Sequence, residues 1–308
     1  MKVLIATQKP FAAVAVAGIK EILTAAGHSV DTLEKYAEQA DFVKAVAPYD
    51  ALIIRSDKVT EEVLAAAPNL KIVVRAGAGV DNVDLEAAKA RKVVVMNTPG
   101  QNSNAVAELC IAMMIFMSRS QFNPTTGTEI MGKRLGVQAY GQVGRLVGKK
   151  AEALGMKVSA IDPFIPADKI RELGAEPAKD VKDLYANNDF VSVHIPATPE
   201  TVKSIGYELI TSMPKGACLV NAARKEVIDE EGLAKALEDR PDLKYVTDLL
   251  PDGYEALREK FGNRIFATPK KMGAQTAEAN INAGLAAARQ IADFFATGCT
   301  RFQVNRWE

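Results

Sequence analysis

Lys133-Arg134-Leu135-Gly136-Val137, followed by Ala139-Tyr140-Gly141-Gln142-Val143-Gly144, is an apolar strand running into a Gly-rich turn that opens a helix reaching about Leu154. The turn is the dinucleotide fingerprint with alanine in place of its first glycine. Gly141 lets the backbone approach a pyrophosphate, and Gly144 lets the helix pack closely on the strand. The helix N-terminus offers free N–H groups and the positive end of its dipole to phosphates. Alanine suits the first position if that residue keeps a negative φ. Eighteen residues beyond Gly144, at the end of the strand Lys157–Ile161, stands Asp162. A carboxylate there accepts hydrogen bonds from the ribose hydroxyls of NAD and repels the extra phosphate of NADP. Pro163-Phe164 follows, with no adjacent arginine to reverse that preference. Tyr140, Gly141, Gln142, Val143, Gly144 and Asp162 are therefore the candidate NAD-binding residues. The alternative is a strand-end turn aspartate in an α/β protein that binds no nucleotide.

Upstream, short β-branched runs alternate with helical periodicity. Strands are predicted at Val3–Ala6, Ala51–Ile54, Lys71–Val74 and Val93–Met96, with helices at 11–26, 40–47, 61–67 and 85–90. Gly27 stands where a helix C-cap belongs. The pattern pauses at Asn97-Thr98-Pro99-Gly100, and a helix from Ala105 to about Ser118 follows, apolar nearly all round and so buried. After the fingerprint, strands are predicted at 190–193, 217–220, 245–247 and 265–267, and a strong helix at 276–296. Such β-α-β series build parallel sheets covered by helices on both faces. The economical reading is α/β with two Rossmann-like domains: a first domain at 1–96, an NAD-binding doubly wound sheet at 97–284, and a C-terminal helix and tail at 285–308 returning to the first domain.

Lys plus Arg equals Asp plus Glu at 38 each, so no basic excess advertises nucleic acid or an anionic membrane as partner. The apolar run 109–117 is too short to span a bilayer, and the first residues are too few for a signal-peptide core. A cytoplasmic location is expected. Cys110, Cys218 and Cys299 have neither disulfide nor metal-ligand spacing and read as small buried residues, so no metal is expected. Any anionic ligand is caught by local arginines. Two stand just after predicted strands: Arg55, followed by Ser56, and Arg75, followed by Ala76-Gly77-Ala78-Gly79. Ligands collect at such strand ends, glycine turns bare their N–H groups, and arginine grips carboxylate or phosphate in bidentate fashion.

Taken with Val80-Asp81-Asn82-Val83-Asp84, Val106-Ala107-Glu108-Leu109, His194-Ile195-Pro196, Met213-Pro214-Lys215-Gly216 and Val220-Asn221-Ala222-Ala223-Arg224, these segments resemble the D-2-hydroxyacid dehydrogenases over nearly the whole chain. The resemblance implies a flavodoxin-like substrate domain beside the NAD domain, and reversible hydride transfer between NAD and C2 of a D-2-hydroxy acid. It implies that Arg224 holds the substrate carboxylate and polarises the C2 oxygen. His194, Pro196 and Ala222 would line the cofactor, and Asp248 would lie near the nicotinamide amide. Arg55, Ser56, Arg75, Gly77, Ala78 and Gly79 would approach the substrate. The run from Arg75 to Asp84 favours the branch oxidising D-3-phosphoglycerate, the opening step of the phosphorylated serine pathway, in a form without a C-terminal regulatory domain. A homodimer through Val106 to Met131 is also implied. Glyoxylate, hydroxypyruvate or D-lactate as substrate, and a retired enzyme that only senses NAD(H), are the alternatives.

The chain departs from that family at its acid/base. Where the family writes Thr-Pro-His, this chain has Thr268-Pro269-Lys270-Lys271-Met272-Gly273, and the partner glutamate is absent, with only Asp252 near its place. The two changes are coherent. A carboxylate fixes the tautomer of a histidine, but would hold a lysine as ammonium. A lysine base must instead shed its proton near working pH, and nearby cations and partial burial push it that way. Lys271, or else Lys270, is the expected acid/base. His28, just after the first helix, reads as a surface turn residue.

Overall fold

The computed structural model describes residues 1–307. The chain divides into two compact units, Met1–Asn102 with the residues from Gln275 on, and Ser103–Ala274.

The first unit carries β1 (Lys2–Thr7), β2 (Ser29–Glu34), β3 (Ala51–Ile54), β4 (Ile72–Arg75) and β5 (Val94–Asn97), all parallel in the order β2-β1-β3-β4-β5. This is the flavodoxin-like order. Every residue of β3 is buried, as a central parallel strand covered on both faces must be. β2, Ser-Val-Asp-Thr-Leu-Glu, is implied only by the likeness in layout between residues 2–32 and the fingerprint unit: at the sheet edge it buries no residue fully, so its own sequence shows no apolar run. Gly27 adopts φ +79° and closes the helix Ala13–Ala25.

The helix Ala277–Thr297 begins on a Thr276 side-chain cap and belongs wholly to the first unit, so the junction falls at 274/275 and not at 284/285. A boundary at 284 would cut through this helix where it packs. A Cβ on Gly284 would stand 2.9 Å from Ile19 Cδ1, and one on Gly18 would stand 2.6 Å from Leu285 Cδ2, so glycines let the two helices cross closely. Beyond it, Asn305 meets the open edge of β5: its Oδ1 accepts from Val95 N at 2.9 Å and its Nδ2 donates to Val93 O at 2.8 Å. One buried carboxamide thus satisfies backbone groups that a sheet edge leaves unpaired.

The second unit carries β6 (Arg134–Gln138), β7 (Lys157–Ile161), β8 (Glu176–Pro177), β9 (Phe190–Val193), β10 (Cys218–Asn221), β11 (Lys244–Thr247) and β12 (Ile265–Ala267). All are parallel, in the order β8-β7-β6-β9-β10-β11-β12. This is the doubly wound Rossmann order with one added strand. The chain leaves β6 toward β7 and returns to its other side with β9, so the switch-point crevice opens between the ends of β6 and β9. The helix Ser103–Ser118 is packed against this sheet, with Ala107, Cys110, Met114 and Met117 buried.

Two expectations fail here. Cys110 and Cys218 are buried, but Cys299 is exposed, because it follows the left-handed Gly298 that ends the last helix. His28 is only partly exposed: both ring nitrogens are buried, and the ring meets Phe295 edge to face at 5.3 Å. No helix among the described residues is long and apolar enough to cross a membrane.

Candidate active site

In the second unit the fingerprint turn connects β6 to the helix Gln142–Ala153. Ala139 adopts φ +74°, not the negative φ under which alanine would fit comfortably. Gly144 is required because a Cβ there would collide with the Ala139 carbonyl oxygen. At Gly141 a Cβ would meet no atom within 4 Å, so the protein keeps that space clear beside the helix N-terminus. Gln142 is the first helical residue, and Val143 packs against the core. Tyr140 departs from its expected role. Its side chain is 1 % exposed and its hydroxyl donates to Leu173 O, so only its backbone can serve a ligand.

Asp162 supports the same turn. Its Oδ2 accepts from Tyr140 N at 2.8 Å and its Oδ1 from Phe164 N at 2.9 Å. Beside it opens an apolar cavity of about 560 Å³, walled by Ala139, Ile161, Pro163, Ile195, Thr201 and Leu209 among others. A largely apolar slot of this kind suits a flat aromatic ligand. Leu209 was missed by the sequence reading and Ile195 entered it only inside the motif His194-Ile195-Pro196, since apolar residues of this kind carry no distinguishing pattern of their own. Pro196 is exposed, and its carbonyl accepts from Thr201 Oγ1 at 2.6 Å. His194 extends the β9 ladder by donating its N–H to Gln138 O at 2.9 Å, and burial pushes its imidazole down to about 4.

The β10 and β11 ends carry the remaining groups. Asn221 is fully buried and brackets the following turn: its Oδ1 accepts from Ala223 N, and its Nδ2 donates to Arg224 O, both at 2.9 Å. Ala222 is buried in that turn, while the Arg224 side chain is exposed, its Nη1 donating to Ala223 O. Asp248 is 1 % exposed and its carboxylate is occupied by the lysine-bearing loop. Oδ1 accepts from Thr268 Oγ1 and Met272 N, both at 2.8 Å, and Oδ2 accepts from Gly273 N at 2.7 Å. It therefore organises the segment 268–273, a role the sequence did not reveal. Lys270 and Lys271 are exposed, so the partial burial expected of them is absent. Asp252 does not take the place of the missing glutamate: it pairs with Lys225 Nζ at 2.8 Å, and its N–H is held by Glu230.

In the first unit the two arginine turns form one network. Arg75 Nε donates to Arg55 O at 3.0 Å, and Asn82 Nδ2 donates to Arg55 O and to Asp57 O. Asp57 is buried and accepts from Tyr36 Oη, Gln8 N and Arg55 N. The Arg55 guanidinium holds the carbonyls of Lys9 and Pro10 and Asn280 Oδ1. Gly77 is needed for a reason other than a bare amide: its N–H is held by Arg75 O, and a Cβ there would collide with the Arg75 guanidinium. Ser56 and Ala78 are exposed, and Gly79 lies beside Asp81.

Residues 8–305 match the family model for the catalytic domain of D-isomer specific 2-hydroxyacid dehydrogenases. The chain belongs to that family. It is 37 % identical over 284 residues to a D-3-phosphoglycerate dehydrogenase of Synechocystis, covering 87 % of this chain and 50 % of the relative. It is 35 % identical over 266 residues to the enzyme of that name from Methanocaldococcus jannaschii, covering 82 % and 51 %. The chain thus spans about half the length of the curated relatives it matches. A solved structure of 3-phosphoglycerate dehydrogenase from Entamoeba histolytica with bound NAD+ superposes with TM-score 0.87 at 48 % identity, covering 100 % of this chain and 99 % of that one. D-2-hydroxyisocaproate dehydrogenase, at 20 % identity and TM-score 0.82, shares the fold. Within the dehydrogenase family, the loop on Asp248 is where this chain carries two lysines and no histidine.

Proposed function

We propose that this dehydrogenase interconverts D-3-phosphoglycerate and 3-phosphohydroxypyruvate with NAD, the reaction opening the phosphorylated route to serine. The observation that carries the reading is the end-to-end similarity to the Entamoeba histolytica protein, whose structure holds NAD+. The residues present fit that cofactor. The clear space at Gly141 beside a helix N-terminus suits a pyrophosphate, Asp162 suits a ribose diol, and the apolar cavity suits an adenine. When bound, NAD+ supplies the hydride acceptor.

This chain's own residues do the rest. Arg224, its backbone fixed by Asn221, holds the substrate carboxylate and polarises the C2 oxygen. Arg55 and Arg75 hold the phosphate. A lysine of the pair Lys270–Lys271 takes the proton of the C2 hydroxyl as the C2 hydrogen departs as hydride, leaving the ketone. A second copy of the chain completes a homodimer through 106–131, where Phe122 and Met131 are 69 % and 72 % exposed.

The test is loss of NADH absorbance with 3-phosphohydroxypyruvate, hydroxypyruvate, glyoxylate and pyruvate in parallel. The phosphorylated acid is expected to give the highest kcat/KM. NADH binding without consumption by any of the four would make the chain a binding protein and end the proposal.

A further inference from the structure

Beneath the switch-point crevice lies a short polar relay that the proposed reaction does not use. Ser192 is fully buried on β9, and its Oγ stands 2.9 Å from His194 Nε2. Behind it, on the helix Ser103–Ser118, the Cys110 thiol is also fully buried and lies near Ser192. Burial keeps that thiol protonated, pushing it up to about 12.

A serine hydroxyl has one hydrogen to give. Thiol sulfur is a weak acceptor and a neutral imidazole nitrogen a strong one. The hydroxyl hydrogen therefore goes to Nε2. With Nε2 accepting, the ring proton of the neutral imidazole must sit on Nδ1. His194 is joined to β6 through Gln138 O, so it stands at the mouth of the crevice between β6 and β9. His194 is partly exposed, and its Nε2 is turned to buried Ser192.

We infer that Ser192 is a positioning residue that locks His194 as the Nδ1–H tautomer, so that His194 donates a hydrogen bond to an acceptor oxygen of the bound dinucleotide. The donor carries no net charge. The relay sets a buried serine behind a partly exposed histidine under a ligand crevice, and a locked tautomer spares the reorganisation that a freely exchanging ring would undergo on binding. The inference rests on the dinucleotide reading of the crevice, and not on which acid is reduced.

The experiment uses the whole chain and two readouts. Ring 15N shifts of His194, measured without cofactor, are expected to show a protonated Nδ1 and an unprotonated Nε2, and a mixture of tautomers in Ser192→Ala. NADH fluorescence titration is expected to give a dissociation constant about three- to tenfold weaker in Ser192→Ala. A protonated Nε2 in the unaltered chain overturns the tautomer lock, even if the variant fails to fold. An unchanged NADH dissociation constant in a folded Ser192→Ala, with tautomers scrambled, overturns the donor role. Failure of the unaltered chain to bind NADH would remove the dinucleotide reading itself, whereas NADH binding without turnover of any keto acid would remove only the proposed reaction.

Discussion

The N–H of Gly273 points at Asp248 Oδ2 from 2.7 Å, and a Cβ on Gly273 would stand 2.9 Å from that same oxygen. Backbone and carboxylate approach so closely that only glycine fits, and Val106 Cγ2, at 3.2 Å from the same Cβ position, closes the other side. Gly273→Ala is expected to push the 268–273 loop off its carboxylate and lower kcat by at least about tenfold, as displacing a reacting group by about an ångström does. Asp248→Asn replaces an acceptor oxygen by a donor and leaves a buried N–H unpaired, at a cost of about 1–3 kcal/mol. Urea unfolding reads that loss. Full turnover in both variants would show that the loop's position is immaterial to the reaction.

The lysine pair is tested one residue at a time. General acid/base catalysis contributes about 10²–10⁴-fold. Lys271→Met or Lys270→Met is therefore expected to slow hydride transfer by at least about a hundredfold while NADH still binds. Single-turnover measurement separates this from slow product release. If both variants transfer hydride at the unaltered rate, neither lysine is the base. If the loss appears only in KM and only for phosphorylated substrate, the lysines serve the phosphate.

Arg75 is predicted to matter by the charge of the substrate. Its Nε is fixed on Arg55 O, and its guanidinium lies against Gly77. Arg75→Met is expected to raise KM for 3-phosphohydroxypyruvate about 10- to 100-fold, the magnitude of a lost charged hydrogen bond. Unphosphorylated hydroxypyruvate should lose far less. Equal losses for the two acids would count against a phosphate role.

Ala139 holds φ +74°, a conformation that costs a residue with a Cβ about 1–2 kcal/mol. Ala139→Gly removes that strain and adds freedom to the unfolded chain, which offsets about 0.4–1 kcal/mol. A net gain of about 0.5–1 kcal/mol is expected, seen as a higher urea midpoint at constant m. A lower midpoint would show that the Ala139 methyl contributes more by lining the apolar cavity than its backbone costs.

That strain marks where the sequence stopped being readable. Buried parallel strands such as β3 and β9 are continuous β-branched or apolar runs, and their hydrophobicity alone declares them. The edge strand β2 has no such run. Gly141, Gly144 and Asp162 are legible because a phosphate-binding turn needs those residue types at fixed spacing. The φ of Ala139 is not, since nothing in the letter alanine reports its backbone. Nor could the sequence show that Asp248 serves the Thr268–Gly273 loop, or that Tyr140 points inward, because both depend on contacts between segments remote in the chain. Lys270 and Lys271 were found as a substitution in a pattern, whereas their exposure follows from a loop path that only the fold sets.

His28 supplies a prediction in acid. Both its ring nitrogens are buried without a hydrogen-bond partner, and the ring packs on Phe295. Burial first, then the positive N-terminus, lower its pKa below the ordinary 6.5, with Asp50 and the Gly27 backbone opposing. The unfolded chain takes up a proton near 6.5 that the folded chain refuses. Protons bound to the unfolded state favour it, so stability is full above that value and declines as pH falls through it toward the lower folded pKa. His28→Phe keeps the ring contact, removes the titration and removes two unsatisfied nitrogens that cost at least about 1 kcal/mol. The variant is expected to be more stable at neutral pH, and its advantage should widen between about pH 7 and pH 5. Urea midpoints measured at stepped pH check both parts. A gap that stays constant across that range would mean that His28 titrates alike in the folded and unfolded chains.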